Sequence, residues 1–238
     1  MAGKFYGIGV GPGDPELLTI KAQRILSAVD VLCVPKAKME KNSLALSVVQ
    51  RAVPGKYMLL ELEFPMSKDQ TVLEQSWEQA GYQVAAKLIA GQDVAFITIG
   101  DPTLYSTYGY LLRYLRAHHP DVATETVPGV SSITACSAYV QEPLVEGEEK
   151  LAIIPAAYNL KDLQHILDIF DTVVLMKVNR RLPELLAFLR NNGNYDTHFV
   201  HRCGYPDQFA TQEPEKILDQ KLHYMSLMIV KKRRRDEQ

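Results

Sequence analysis

The chain has 238 residues, enough for one large α/β domain or two modest ones with a buried core. Hydrophobic residues make up 47%, charged residues 23%, and the formal net charge is −2, an ordinary globular balance with no global attraction to nucleic acid. Apolar runs stop well short of the ~20 residues that span a bilayer, and Met1-Ala-Gly-Lys-Phe-Tyr-Gly7 lacks a signal-peptide core, so no membrane and a cytoplasmic location are expected.

Short β-branched runs alternate with helix-period segments along the chain, the pattern of α/β architecture. Residues 5–10 read as a strand, 16–27 as a helix, 31–34 as a strand stopped by Pro35, and 43–52 as a helix. A strand at 57–62, a long helix at 70–90 and a strongly apolar strand at 93–99 follow, then a helix from 107 to 117 that His118-His119-Pro120 ends. A second set begins there: strands at 123–127, 151–154, 172–178, 198–202 and 225–230, with helices at 131–139, 161–170 and 181–191, the last closing at Gly193. Two α/β domains are predicted, residues 1–118 and 119–238.

Cys33, Cys136 and Cys203 are far apart and belong to no C-x-x-C pair, so buried free thiols are expected rather than disulfides or a zinc site. The six histidines are scattered, and no metal site is predicted. The run Lys231 to Arg235 reads as a solvated tail.

Gly9-Val-Gly-Pro-Gly-Asp14 lies between a predicted strand and a predicted helix, where glycines let the backbone turn and approach a ligand. The spacing is not that of the dinucleotide fingerprint G-x-G-x-x-G, because Asp14 stands where the last glycine belongs and would bring negative charge to a phosphate seat. Asp14 capping a helix with Pro15 in its first turn is the plainer reading, and Asp30 is only a weak candidate for a ribose-binding acid. A second loop, Gly100-Asp-Pro-Thr-Leu-Tyr-Ser-Thr107, follows the most apolar strand, where ligands of open α/β sheets bind. Pro128-Gly-Val-Ser-Ser132, Met176-Lys-Val178 and His201-Arg-Cys-Gly204 also follow strands. Such loops in both lobes imply a ligand cleft between them. No nucleophile–base pair accompanies it, which suits a group-transfer enzyme whose cosubstrate carries the reactivity.

These segments together resemble the tetrapyrrole methylases. Gly9 to Ala22 resembles that family's N-terminal signature, Gly100 to Thr107 and Val127 to Ser132 its second and third motifs, and Leu175 to Val178 and Tyr224 to Ile229 its later blocks. Within the family, Glu63-Phe-Pro-Met-Ser-Lys-Asp69 and the string Gly100 to Tyr108 resemble the branch that methylates carbon 20 of precorrin-2. The resemblance implies a homodimer of two α/β domains, distinct from the usual Rossmann-like methyltransferases, with S-adenosylmethionine bound in the cleft and S-adenosylhomocysteine as product. Carried over position by position, Pro12 borders the cleft, and Gly100, Asp101, Thr103, Ser106 and Thr107 line the cosubstrate pocket. Ser131 and Ser132 bond the methionine or ribose, Met176 packs on the adenine, and Cys203, Met225 and Ser226 complete the pocket. Asp14 is the candidate base, and Arg113, Arg180 and Arg181 are candidates for the substrate's carboxylates. A cobalt-bearing substrate is the alternative inside the family, and a nicotinamide-dependent oxidoreductase or a noncatalytic tetrapyrrole-binding module lies outside it.

Overall fold

The computed structural model describes residues 1–36, 43–53, 55–65, 67, 69–155 and 160–233, in two units, Met1–Ser131 and Ser132–Gln238. In the first unit the alternating apolar runs become five parallel strands: β1 (Phe5–Gly9), β2 (Val31–Pro35), β3 (Met58–Leu62), β4 (Val94–Thr98) and β5 (Thr124–Val127). Their order is β3-β2-β4-β1-β5. The intervening helices are α1 (Ile20–Leu26), α2 (Leu44–Ala52), α3 (Gln70–Ile89) and α4 (Tyr108–His118).

Strand periodicity decides which helix covers which face. Ile8, Leu32, Val34, Ala95 and Ile97 point to one side, where Ala22 and Leu26 of α1 and Ala45, Val48 and Val49 of α2 close over them. Phe5, Val31, Cys33, Val94 and Phe96 point to the other, under Val84 and Leu88 of α3 and Leu111 and Leu115 of α4. Those four helix side chains are fully buried, each contributing about 1.5–3 kcal/mol of transfer free energy. Gly7 faces α4 because the Tyr108 ring occupies the space a Cβ would need, 2.0 Å from Cε2. Burial also pushes the Cys33 thiol up to about 12, so it is inert packing.

The second unit holds a mixed sheet: β6 (Leu151–Pro155), β7 (Thr172–Met176), β8 (Tyr195–His201), β9 (Phe209–Thr211) and β10 (Ser226–Lys232), in the order β6-β7-β10-β8-β9. Only β6 and β7 run parallel; β10 is antiparallel to both β7 and β8, and β9 to β8. Helices α6 (Leu160–Ile169) and α7 (Leu182–Asn192) pack Leu163, Leu167, Leu185 and Leu189 on the face bearing Val173, Leu175, Phe199, Met228 and Val230. Helix α5 (Ser132–Val140) supplies the buried residues Ile133, Ala135 and Cys136. Cys136 and Cys203, both buried free thiols, are hydrogen-bonded to each other, which with burial raises the Cys136 pKa.

Four expectations are corrected. The boundary at 118 falls one strand too early, because β5 pairs with β1 and belongs to the first sheet. The helix expected over 16–27 is broken: Asp14 caps a 3₁₀ turn at Pro15–Leu17, Leu18 is extended at ψ 130, and Thr19 caps α1 anew through Ala22 N–H. Strand β9 and a 3₁₀ turn at Pro214–Ile217 were not anticipated. The basic run is no solvated tail as far as Arg233. Lys231 and Lys232 are the last residues of β10, Lys231 Nζ reaches Glu142 Oε1 at 2.6 Å, and Arg233 Nε reaches Asp196 at 2.7 Å. Arg234 and Arg235, like Met66 and Lys68 of the branch-specific segment, lie outside the described residues. Asp30 sits before β2, at the amino end of the sheet, accepting a bond from Asp93 N–H at 2.9 Å, and so has no place among ligand-binding loops.

At that amino end, Glu125 on edge strand β5 is bridged by Lys21 and by Lys4 Nζ, the latter at 2.5 Å. Hydrogen bonds from Lys21 and then Lys4 hold its carboxyl down to about 2. A depressed folded-state pKa adds stability above the unfolded value of about 4.3 that is lost as pH falls towards the folded one. Thermal denaturation should therefore show Glu125→Gln less stable than the wild type at pH 7, with the gap closing between about pH 4.5 and pH 2. Because the partner lysines keep 37% and 50% of their side-chain surface exposed, the gap should stay below about 1 kcal/mol.

Candidate active site

Strands β1 and β4 are neighbours whose chains leave to opposite faces, β1 towards α1 and β4 towards α4. That divergence opens a crevice at their carboxyl ends, the usual ligand position in a parallel sheet. Its floor is main chain. Gly100 N–H donates to Gly11 O at 2.8 Å and Gly11 N–H to Gly100 O at 3.4 Å. A Cβ on Gly9 would lie 2.4 Å from Gly100 O and 2.7 Å from Gly129 N, and one on Gly129 would lie 2.3 Å from Gly100 O. The three strand ends are packed backbone on backbone, with Gly11 and Gly100 at φ 78 and 72, the left-handed region that glycine tolerates.

Asp101 clamps this floor. Its Oδ1 accepts from Thr103 N–H at 2.8 Å and from the Thr103 hydroxyl at 2.5 Å, and its Oδ2 accepts from Gly129 N–H at 3.0 Å. Burial favours the neutral acid, but the Thr103 hydroxyl and the Thr103 and Gly129 amides together outweigh it, so the carboxyl titrates below the usual range and is ionised at neutral pH. The result is a half-buried negative charge beside a hydroxyl-rich loop. Thr107 precedes α4 without using its side chain as a cap, while Ser106 Oγ accepts from Tyr108 N–H at 3.1 Å. Tyr108 itself is buried, its hydroxyl 2.6 Å from Thr126 Oγ1.

In the second unit β10 lies between β7 and β8, so its first residues meet the carboxyl ends of both. Lys177 and Arg202 turn away in left-handed conformations, φ 61 and 46. Each is held by the entry to β10: Lys177 N–H donates to Ser226 O at 2.7 Å and Arg202 N–H to Met225 O at 2.8 Å. Ser226 Oγ is buried with no hydrogen-bond partner among the described residues. Beside it in register is His201, whose Nε2 accepts from His223 N–H at 3.0 Å. Burial lowers the His201 pKa, against the opposing pull of the Asp207 backbone.

The residues predicted from sequence thus form two groups. Pro12, Asp14, Gly100, Asp101, Thr103, Ser106 and Thr107 gather at the carboxyl end of the first sheet, and Met176, Cys203, Met225 and Ser226 at one end of the second. Ser131 closes the first unit, and Ser132 opens α5 in the second. Asp14 accepts from Glu16 N–H at 2.9 Å through one carboxylate oxygen. The Cys203 thiol is engaged by Cys136.

The arginines are not gathered. Arg113 lies over the Tyr110 ring at 4.8 Å, and that ring stacks on Trp77. Arg180 is exposed in a 3₁₀ turn, and Arg181 is bound to Glu184 at 2.6 Å. Two residues at the first site escaped the sequence reading. Arg51 donates to Gly13 O at 2.6 Å from α2, a contact between residues 38 apart that no local pattern encodes. Tyr105 has a positive φ inside a motif that was read only for its polar groups. Among the described residues no group of three or more His, Cys, Asp or Glu side chains could hold a metal ion, and no helix is long and apolar enough to cross a membrane.

The family model of the tetrapyrrole (corrin/porphyrin) methylases matches residues 4–218. The chain is 42% identical to a Methanocaldococcus jannaschii protein named probable cobalt-precorrin-2 C(20)-methyltransferase, covering 98% of this chain and 97% of the relative. It is 33% identical to the cobalt-precorrin-2 C(20)-methyltransferase of Salmonella typhimurium, over 98% of each. It is 31% identical to a precorrin-2 C(20)-methyltransferase of Sinorhizobium sp, over 96% and 95%. Among solved structures, a cobalt precorrin-4 methyltransferase superposes with a TM-score of 0.72 at 19% identity, over 96% of this chain and 94% of that one. The uroporphyrin-III C-methyltransferase of Thermus thermophilus, complexed with S-adenosylhomocysteine, does so with a TM-score of 0.66 at 24% identity, over 96% and 97%.

The glycine floor yields a direct test. Gly129→Ala sets a Cβ against carbonyl and Cα atoms that no rotamer change can move, so it should cost about 1–3 kcal/mol in urea denaturation. Gly55→Ala, whose Cβ would meet the Tyr57 ring at 3.3 Å, should be close to neutral.

Proposed function

The chain belongs to the tetrapyrrole methylases, and from that premise we propose that it transfers the methyl group of S-adenosylmethionine to carbon 20 of a precorrin-2-type tetrapyrrole in cobalamin biosynthesis. The observation that carries this reading is near-full-length identity of 31–42% to three relatives named for that reaction. Two of them, including the one at 42%, are named for the cobalt-bearing substrate, which favours that form over the metal-free one.

The residues at the first sheet's carboxyl end suit such a donor. An ionised Asp101 complements an ammonium group, and the hydroxyls of Thr103, Ser106 and Thr107 suit a carboxylate or ribose. In the second unit, Met176 is the proposed adenine contact, and Cys203, Met225 and Ser226 are proposed to complete the pocket, the Ser226 hydroxyl being buried with no hydrogen-bond partner among the described residues. Ser131 and Ser132 are assigned to the methionine or ribose.

S-adenosylmethionine supplies a methyl already activated by its sulfonium charge, so the chain need not build a nucleophile. Its residues bind, orient and exclude water. In well-aligned systems positioning is worth about 7–11 kcal/mol. The main-chain floor suits that task because it has no side-chain rotamers to wander. After methyl transfer a proton leaves the macrocycle. Asp14 is the proposed acceptor, since among the described residues only one of its carboxylate oxygens is occupied, by Glu16 N–H. Arg113 and Arg180 are the proposed contacts for peripheral carboxylates; Arg181 is the weaker candidate because Glu184 already holds it. A homodimer and a cytoplasmic location complete the proposal, to be checked by light scattering and cell fractionation.

The deciding experiment is an anaerobic methyl-transfer assay with mass spectrometry, run on metal-free precorrin-2 and on its cobalt form. One added methyl on the cobalt form is the expected result; none on either, beside an active control methylase, overturns the reading. In the same assay Asp14→Asn should lower kcat by about 10²-fold or more, the scale of one acid–base group, while leaving S-adenosylhomocysteine affinity unchanged. Undiminished turnover would leave Asp14 as a cap alone.

A further inference from the structure

We propose that His201 and His223 are positioning residues for the methyl donor: each ring accepts a main-chain amide of the approach to β10, and together they hold Met225 and Ser226 in the form that binds the donor. This rests on the assignment of those two residues to the donor pocket given above.

Residues 221–225 form no regular element, and β10 begins at Ser226. The amides of such a segment need acceptors from elsewhere, and two of them find imidazoles. His223 N–H donates to His201 Nε2 at 3.0 Å, and Met225 N–H donates to His223 Nδ1 at 3.1 Å. The carbonyls that follow are fixed as well, Met225 O by Arg202 N–H at 2.8 Å and Ser226 O by Lys177 N–H at 2.7 Å. The four bonds differ in kind. The carbonyl bonds join main chain to main chain and are indifferent to pH, whereas each amide bond depends on the protonation of a ring.

Packing fixes the His201 ring. The residue ends β8 opposite Ser226 and is buried, and its ring lies against Phe209 with centroids 4.9 Å apart and an interplanar angle of 28°. A neutral imidazole has one acceptor nitrogen; a protonated one has none and presents an N–H in its place. A charged His201 would therefore meet the His223 amide donor to donor. The charged and titratable groups around it are Asp207, Arg202 and His223. Arg202 Nε lies 2.8 Å from Asp207 and holds that carboxyl below its usual range, so this pair keeps its charges through mild acid. Burial lowers the His201 pKa, opposed by the main chain and carboxylate of Asp207 and assisted by Arg202 and His223. The folded state thus disfavours the proton. The bond to the His223 amide holds at neutral pH and is lost as pH falls below the ordinary histidine value of about 6.5.

The test is S-adenosylhomocysteine binding by calorimetry between pH 7 and pH 5, on the wild type and two variants. His201→Gln combined with His223→Asn offers an amide oxygen to each backbone N–H and removes both imidazoles. His201→Leu removes the first acceptor alone. Wild-type affinity should fall about fivefold or more from pH 7 to pH 5, the scale of one lost hydrogen bond, while that of the double variant changes less than about twofold. At pH 7 the double variant should bind within about threefold of the wild type, and His201→Leu about fivefold or more weakly. Circular dichroism should show all three proteins folded at each pH.

A wild-type affinity that is flat over this range overturns the proposal. So does an equal fall in the double variant, which would place the titrating group elsewhere, or undiminished binding by His201→Leu. Loss of circular dichroism in step with affinity would make the rings structural and likewise overturn it. Should one variant fail to fold, the wild type compared with the other decides. Methyl transfer assayed on the same proteins separates this inference from the functional reading. A wild type that binds S-adenosylhomocysteine with the expected pH dependence but methylates neither precorrin fails only the functional reading. A wild type that binds none at pH 7 ends the positioning proposal itself.

Discussion

The close approach of three glycine backbones governs the first unit. Gly9 ends β1, Gly100 and Gly129 follow β4 and β5 by two residues, and Gly9 and Gly129 lie so close to Gly100 O that neither has room for a Cβ. Nothing in hydrophobic burial demands this; the core of that unit is complete one layer below, with Ile8, Ile97 and Val127 fully covered. The glycines instead produce a flat main-chain surface, and Asp101 fastens it by bonding forward to Thr103 and across to Gly129. Removing Asp101 would leave the Gly129 amide without its acceptor, and an unmade bond of this kind costs about 1–3 kcal/mol. Stability and site geometry are therefore coupled through one carboxylate. Because the Thr103 and Gly129 donors keep that carboxylate ionised well into acid, the coupling persists across the neutral range.

The second unit reaches its site geometry by a different device. Among the described residues its strand ends show no glycine floor; the turns after β7 and β8 are made by Lys177 and Arg202, two non-glycine residues in left-handed conformations. Each turn is held by one carbonyl from the entry of β10, Ser226 for Lys177 and Met225 for Arg202. This works only because β10 is antiparallel and central, so that its first residues, not its last, meet the ends of its neighbours. Ser226 is thereby buried, and its hydroxyl has no hydrogen-bond partner among the described residues.

Much of this was legible in the sequence, for identifiable reasons. Strands such as Val94 to Thr98 are apolar on both faces and bounded by turn residues, so they were recognisable without any fold hypothesis. Helix α3 starts where Asp69 caps the amides of Thr71 and Val72, a local signal. The domain boundary was misplaced because Pro120 ends a helix but says nothing of which sheet the next strand joins; β5 chose β1. The antiparallel half of the second sheet was hidden for the same reason, since strand direction is a property of long-range pairing. At the site, glycine and hydroxyl spacing announced the loops. The Arg51 contact and the Tyr105 conformation are tertiary outcomes with no signature in spacing.

The charge balance around the first site bears on how it could treat a polyanionic substrate. With a net charge of −2 the chain offers no general attraction to carboxylates, so any attraction must be local. Most cations whose partners are described are already committed: Lys4 and Lys21 to Glu125, Lys36 to Glu63, Arg181 to Glu184 and Arg202 to Asp207. Arg51 differs, because its hydrogen bonds run to the carbonyls of Ser47 and Gly13, which orient the guanidinium without neutralising it. An arginine donates five N–H bonds, and two are used among the described residues, so charge and donors remain beside the glycine loop. The first site thus holds an anion, Asp101, fastened by two amides and the Thr103 hydroxyl, and a cation, Arg51, fastened by two carbonyls, neither spent on the other. A zwitterionic amino-acid moiety or a carboxylate-rimmed acceptor can exploit both, which a mutually neutralised pair would not allow.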